Sequence, residues 1–297
     1  MNILMTGGTG FIGRHFLARY PDYRYTLLVR DAAHASRLLG DKHQYITSLD
    51  ALELATAFDA VINLAGEPIV GVRWSDAQKD KLNKSRWKTT EAVVDWMLRA
   101  EQQPAVFLSG SAIGFYGTSK EARFCEANEP AVNDFSSLLC QRWESEAKLA
   151  EPKTRVVLLR TGVVLGTDGG ALDKMLLPFK LGLGGPVGSG EQWMSWIHMK
   201  DYLSAMHHLL VSESCRGAYN LTAPEPVRNK RFVKALADAL HRPCWMPLPA
   251  YALKLALGEA STLLLDGQQV IPQKLLDEGF AFSFPTVESA MKDLFDQ

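Results

Sequence analysis

Short apolar runs alternate along the first half of the chain with longer stretches whose apolar positions recur at helical spacing. Strand-like runs cover Asn2–Thr6, Tyr25–Val29, Ala60–Leu64, Val106–Ser109 and Arg155–Thr161. Between them the periodicity predicts helices over Ile12–Tyr20, Asp76–Ala100 and Ser136–Glu151. Strand–helix–strand alternation calls for right-handed crossovers and a parallel sheet with helices on both faces. The expected fold is therefore α/β and doubly wound. After about Gly166 the character changes, with Gly182-Leu183-Gly184-Gly185-Pro186 followed by Pro224, Pro226, Pro243, Pro247 and Pro249. A core over residues 1–166 and a smaller, mixed α/β lobe over 167–297 follow from that shift. The lobe is expected on the substrate side, with some of its segments returning to the core.

Composition narrows the partners. The 297 residues carry 32 Lys and Arg against 33 Asp and Glu, a net charge of −1. That balance excludes the basic surface that non-specific nucleic-acid binding needs. No stretch approaches the roughly 20 apolar residues of a membrane span, since Tyr251–Leu265 is broken by Lys254, Gly258 and Glu259. The chain opens directly on a strand, so no signal peptide is expected. Cys125, Cys140, Cys215 and Cys244 are scattered without a CxxC, a spacing that suits neither a disulfide framework nor a zinc site. These features point to a cytoplasmic protein with a small-molecule substrate, no nucleic-acid or membrane partner and no metal. A homodimer stays open.

The sharpest chemical signal is Thr6-Gly7-Gly8-Thr9-Gly10-Phe11-Ile12-Gly13. It follows the first strand and opens the first helix, the context in which a glycine triplet binds a dinucleotide. Gly7 permits a tight turn, Gly10 admits a pyrophosphate to backbone amides, and Gly13 lets helix and strand pack closely. The helix N-terminus then offers free N–H groups and a partial positive charge. The sheet is accordingly expected to be of Rossmann type.

The second strand selects the cofactor. An NAD site places an acidic residue about 20 positions beyond the loop, on the ribose 2′-hydroxyl. Here the strand ends Leu28-Val29-Arg30. Arg30 suits a 2′-phosphate, which favours NADP(H) over NAD(H). Arg14 and Arg37 add positive charge nearby, whereas Asp31 weakens the assignment. A solvated strand-end charge is the alternative for Arg30.

The motifs together resemble those of an extended short-chain dehydrogenase/reductase of the NAD-dependent epimerase/dehydratase superfamily. They comprise the glycine loop, Asn63-Leu64-Ala65-Gly66, Leu108-Ser109-Gly110-Ser111-Ala112, Tyr116-Gly117, Leu159–Gly166 and Trp196–Asp201. Leu64-Ala65-Gly66-Glu67-Pro68-Ile69, Arg73-Trp74, Ser85-Arg86 and Arg142-Trp143-Glu144 are most similar to the YfcH-type epimerase-family subgroup, as is the C-terminal Gly267–Pro285 stretch. The resemblance implies cofactor contacts from Thr6, Gly7, Gly10, Phe11, Ile12, Gly13, Arg30, Leu64, Ala65, Gly66 and Ser109. It also makes residues from about 245 onward a family-specific segment.

The resemblance exposes one departure. Ordinary members use a tyrosine and a lysine four residues on as a proton relay, with a glutamate four residues further. Placing Glu144 as that glutamate puts Cys140 in the lysine's place and Ser136 in the tyrosine's. A cysteine cannot supply the fixed cation that lowers a phenol's pKa. Ser111 is retained, and Arg86 stands where an asparagine joins the relay. Arg86 is either a cation beside the nicotinamide or a solvated helix charge. Tyr116 is a substitute acid or an aromatic wall. Cys140 reads as a buried helix cysteine, Asp201 as a helix N-cap and His198 as a packed neighbour.

Gly188–Trp196 resembles the family loop that closes over a nucleotide sugar, and the arginine that often grips the diphosphate falls on Met194. Glu67, Trp193 and Trp196 are therefore expected to line a more apolar pocket, although the tryptophans suit a core equally well. Two functions remain: an NADP(H)-dependent oxidoreductase or epimerase on a small carbonyl or hydroxyl substrate, and a non-catalytic NADP(H)-sensing protein.

Overall fold

In the computed structural model, which describes residues 1–296, strand β1 (Asn2–Thr6) turns through glycines into helix α1 (Phe11–Arg19) and β2 (Arg24–Leu28). Helix α2 (Ala32–Leu39), β3 (Gln44–Ile46), β4 (Ala60–Asn63), α3 (Asp76–Arg99) and β5 (Val106–Ala112) follow. Next come β6 (Arg123–Phe124), α4 (Phe135–Lys148), β7 (Arg155–Thr161), β8 (Val163–Leu165) and α5 (Gly170–Lys180). The later chain adds β9 (Trp193–Met194), β10 (Trp196–His198), α6 (Met199–Val211), β11 (Gly217–Leu221), β12 (Val227–Arg228) and α7 (Asn229–Ala239). It ends in α8 (Ala250–Leu257), α9 (Thr262–Leu265), β13 (Gln269–Val270), α10 (Gln273–Asp277) and α11 (Val287–Phe295).

Seven parallel strands form the main sheet in the order β11-β7-β5-β4-β1-β2-β3. Connections run outward in opposite directions from β1 and β4. A crevice therefore opens beyond the carboxyl ends of these two strands, where such sheets bind ligands. Alternate strand residues face opposite layers, as the pleat requires. Ile3 and Met5 pack with Phe16 and Leu17 of α1 and Tyr202 and Met206 of α6. Leu4, Val61 and Phe107 pack with Val93 and Trp96 of α3 and Ala147 of α4. This is the Rossmann-type α/β sheet expected from the sequence.

Strand and helix bounds agree with the pattern to within a few residues, except that β5 continues to Ala112. Its last three residues pair with Leu159–Thr161 of β7, so a long partner extends the strand past its apolar stretch. Ser75 and Asp134 set the starts of α3 and α4 by accepting the backbone N–H groups of Gln78 and Ser137. Strand β11 lies far along the chain yet forms an edge of the main sheet, and α6 packs on α1. A separate core joins α5, α7 and α11 around Leu172, Leu176, Phe232, Leu236 and Met291. Among the described residues no helix is long and apolar enough to cross a membrane.

Candidate functional site

The glycine loop fills the mouth between β1 and α1. Gly7 sits at φ +72°, and a Cβ there would lie 2.6 Å from the backbone of Leu64. A Cβ on Gly13 would lie 2.2 Å from the Gly7 carbonyl oxygen. Both contacts are with backbone, which cannot swing aside, so only glycine fits. Gly10 is the N-cap of α1 and lends no side chain to the helix start. The first-turn amides consequently point, uncapped, at the crevice.

Arg30 follows β2 with its side chain 97% exposed, 3.9 Å from the carboxylate of Glu67 in the loop after β4. Asp31, the residue that argued against a phosphate site, has turned away. Its carboxylate accepts the His34 N–H and caps α2. Arg14 does not reinforce Arg30, because it is tied to the backbone and carboxylate of Asp168.

Two expected cofactor side chains belong to the protein interior. Thr6 donates its hydroxyl proton to Asn63 Oδ1 at 2.6 Å and accepts the Ala65 N–H at 3.1 Å. The chain of bonds continues from Asn63 Nδ2 to Thr90 Oγ1, which also accepts the indole N–H of Trp143. Thr6 therefore locks β1 to β4 instead of facing a ligand. Ser109 is fully buried, 0% exposed, and does not reach the crevice. The Phe11 ring packs against Gly166, Gly169 and Gly170 and wedges the loop before α5.

Leu64, Ala65 and Gly66 leave β4 along the crevice. Directly against them lies Arg86 of α3, its guanidinium carbon 3.1 Å from where a Gly66 Cβ would stand, closer than ordinary van der Waals contact. It donates to the carbonyls of Leu82 and Glu67 and lies 5.3 Å from the Trp143 ring centroid. Arg86 is thus a half-buried, anchored cation and not a solvated helix charge. Burial lowers its pKa from the ordinary guanidinium value.

Beside it, Ser111 donates to Glu144 Oε1 at 2.7 Å. Arg160 holds both oxygens of Glu144, through Nε at 2.8 Å and Nη2 at 2.9 Å, with the two side chains 5% and 2% exposed. Arg160 also stacks on Phe115 at 3.5 Å and donates to the Tyr116 hydroxyl. Tyr116 donates onward to Asn220 Oδ1 at 2.7 Å. Burial pushes the Tyr116 pKa up to about 12, and its hydroxyl is enclosed on every side. Tyr116 is accordingly neither a substitute acid nor a pocket wall. Arg160 had no expected role, although an arginine directly after the apolar run Val156–Leu159 and still within β7 signals a buried partner.

On the lobe side, Trp193 is half-buried. Its indole N–H meets the Lys120 carbonyl, and Arg228 stacks on its ring at 3.8 Å. Antiparallel pairing of β9 with β12 brings that arginine across, so a cation returns beside Met194 from a distant segment. Trp196 is 0% exposed and donates to the Glu225 carbonyl, which makes it core and not a substrate contact. The cap assignment also changes. His198 caps α6 by accepting the Lys200 N–H, while Asp201, buried, accepts the Ser283 and Phe284 amides of the C-terminal segment. Burial pulls the His198 pKa down to about 4, so its ring is neutral.

Residues 3–222 match the model of the NAD dependent epimerase/dehydratase family, and residues 248–294 match a domain of unknown function, DUF1731. The chain belongs to this epimerase/dehydratase family, in its SDR39U1-type branch. It is 39% identical to the chloroplastic SDR39U1 homolog of Arabidopsis thaliana, over 98% of this chain and 86% of that one. It is 38% identical to the epimerase family protein YfhF of Bacillus subtilis, over 99% and 98%. The crystal structure of human SDR39U1 with NADPH superposes at a TM-score of 0.91, with 34% identity and full coverage of both chains.

In this epimerase-family chain Ser136 and Cys140, the residues that the resemblance sets in the relay's places, both lie against Gly114. Burial and the neighbouring Glu144 charge push the Cys140 thiol up to about 12, so it remains protonated. The charges beside Gly66 come instead from Arg86, which donates to the Glu67 carbonyl, and from the Glu67 carboxylate, which faces Arg30.

Proposed function

We propose that this epimerase-family protein binds NADP(H) in the Gly7–Gly13 cradle and acts as an oxidoreductase or epimerase on a small carbonyl or hydroxyl compound. The observation that carries the reading is Arg86, a half-buried cation anchored against Gly66 on the wall of the crevice. Arg30, with Asp31 turned into its helix cap, supports a 2′-phosphorylated cofactor over NAD(H). The human relative's structure with NADPH supports the same choice.

Bound nicotinamide supplies or accepts a hydride. On the protein side, the free loop amides hold the pyrophosphate and Arg86 stabilises negative charge on a substrate oxygen. Ser111 accepts a hydrogen bond from a substrate hydroxyl before that charge develops, since it donates its own proton to Glu144. This favours a substrate hydroxyl over a carbonyl as its direct partner. The same bond supports the second reading, a cofactor-binding protein without turnover, because Ser111 as arranged has no proton to give.

Fluorescence titration with NADPH tests the cradle, and a screen of carbonyl and hydroxyl compounds, followed by NADPH absorbance, tests turnover. Activity that is lost in Arg86→Ala with NADPH binding retained is the expected result. Tight NADPH binding with no turnover on any compound would replace the enzyme reading by the sensing one.

A further inference from the structure

His208 lies in the last turn of α6, Cys215 two residues before β11, and Glu278 just after α10. Folding brings their side chains together at the amino end of β11, the end of the sheet opposite the cofactor crevice. His208 Nε2 is 3.1 Å from Glu278 Oε2, Cys215 Sγ is 3.3 Å from the same oxygen, and Sγ and Nε2 are 3.9 Å apart. Around a tetrahedral zinc, with bonds of roughly 2.0–2.3 Å, ligand atoms lie about 3.3–3.6 Å from one another. The triangle therefore matches one face of such a tetrahedron to within a few tenths of an ångström.

We infer that His208, Cys215 and Glu278 form a binding site for a borderline-soft divalent cation of the zinc class, with its fourth position open to solvent. Sulfur, imidazole and carboxylate together select this class over magnesium or calcium, which take oxygen ligands. One thiolate and one carboxylate neutralise a dication. The surroundings are those of a supported site. Tyr219 donates to the other Glu278 oxygen at 2.5 Å, and Ser212 Oγ lies 3.4 Å from His208 Nδ1. Groups of this kind orient ligands from behind. Nearby cations are occupied elsewhere: Lys274 donates to the Arg216 and Ala218 carbonyls, and Arg155 to those of Leu209, Leu210 and Cys215.

The His208 and Glu278 side chains are 32% and 30% exposed, so an ion reaches the site from solvent, while Cys215 anchors it from the interior. The ion clips the C-terminal segment after α10 to α6 and the sheet edge. Its place at the far end of the sheet makes it independent of the proposed reaction.

The test is a cobalt titration of the full-length, tag-free protein after chelator treatment. A near-ultraviolet sulfur-to-cobalt band and visible bands of tetrahedral intensity are expected. They should saturate at one ion per chain, be displaced by zinc, and accompany a rise in melting temperature with zinc. Cys215→Ser abolishes the charge-transfer band. Should that variant not fold, the partly exposed His208→Asn reports the same loss of binding. Tyr219→Phe weakens cobalt binding by about 10–100-fold. No sulfur-to-cobalt band in the wild type, or a band unchanged in Cys215→Ser, overturns the assignment and leaves a hydrogen-bonded cluster.

Discussion

Ser111 gives its only hydroxyl proton to Glu144 across 2.7 Å, and Glu144 is in turn held by both arms of Arg160. The serine at the site is thus oriented by a buried ion pair. Removing one member of such a pair strands the other charge in the interior. Glu144→Gln should therefore cost about 3–5 kcal/mol in urea unfolding. Ser111→Ala removes one hydrogen bond and should cost about 1 kcal/mol or somewhat more. Equal losses in the two variants would show that the pair does not carry the local fold.

Arg30→Asp removes the cation at the end of β2 and places a carboxylate where a ribose hydroxyl would be bound. A charge-assisted contact contributes about 1.5–3 kcal/mol, or roughly tenfold to hundredfold in affinity. Fluorescence titration should show NADPH binding weakened by that factor and NADH binding unchanged or improved. An unaltered NADPH-to-NADH ratio would mean that Arg30 does not touch the 2′-phosphate.

Gly13→Ala sets a methyl group 2.2 Å from the Gly7 carbonyl oxygen. The loop must shift or the helix must move, at a cost of about 1–3 kcal/mol. Calorimetry should show that loss, and NADPH affinity should fall with it because the amides no longer converge. Wild-type affinity in a stable Gly13→Ala protein would place the dinucleotide elsewhere.

His198 has a folded-state pKa of about 4 against an ordinary 6.5, because burial disfavours its charged form. Between those values the unfolded chain binds the extra proton and the folded chain does not. Its contribution to stability is complete above about pH 6.5 and declines as pH falls toward 4, by up to about 1.4 kcal/mol per unit. His198→Asn keeps a side-chain oxygen for the Lys200 N–H and should flatten that slope in denaturation measured across this range. A slope identical to the wild type would assign the acid sensitivity to other groups.

Much of the scaffold was legible in the chain itself. Apolar runs and helical spacing located β1, β4, β7 and α3 nearly to the residue, because burial patterning is a local property. The glycine cradle was legible for the same reason, since its three glycines act within one turn. Local reading failed where a neighbour comes from far away. Asp201 looked like a helix cap by position, but the cap is His198, because the Asp201 carboxylate is drawn to amides some 80 residues on. Trp196 looked like a pocket residue and is core, since α5, α7 and α11 close over it.

By itself, then, the sequence determined a parallel α/β sheet and a glycine-rich turn between its first strand and helix. Each follows from residue type and spacing within a short segment. Only the tertiary structure decided that Arg86 is an anchored cation, that Ser111 answers to Glu144 and Arg160, that Tyr116 is sealed, and that His208, Cys215 and Glu278 meet. Those outcomes depend on distances between side chains up to 104 positions apart, which crossovers of the sheet set and no local pattern encodes.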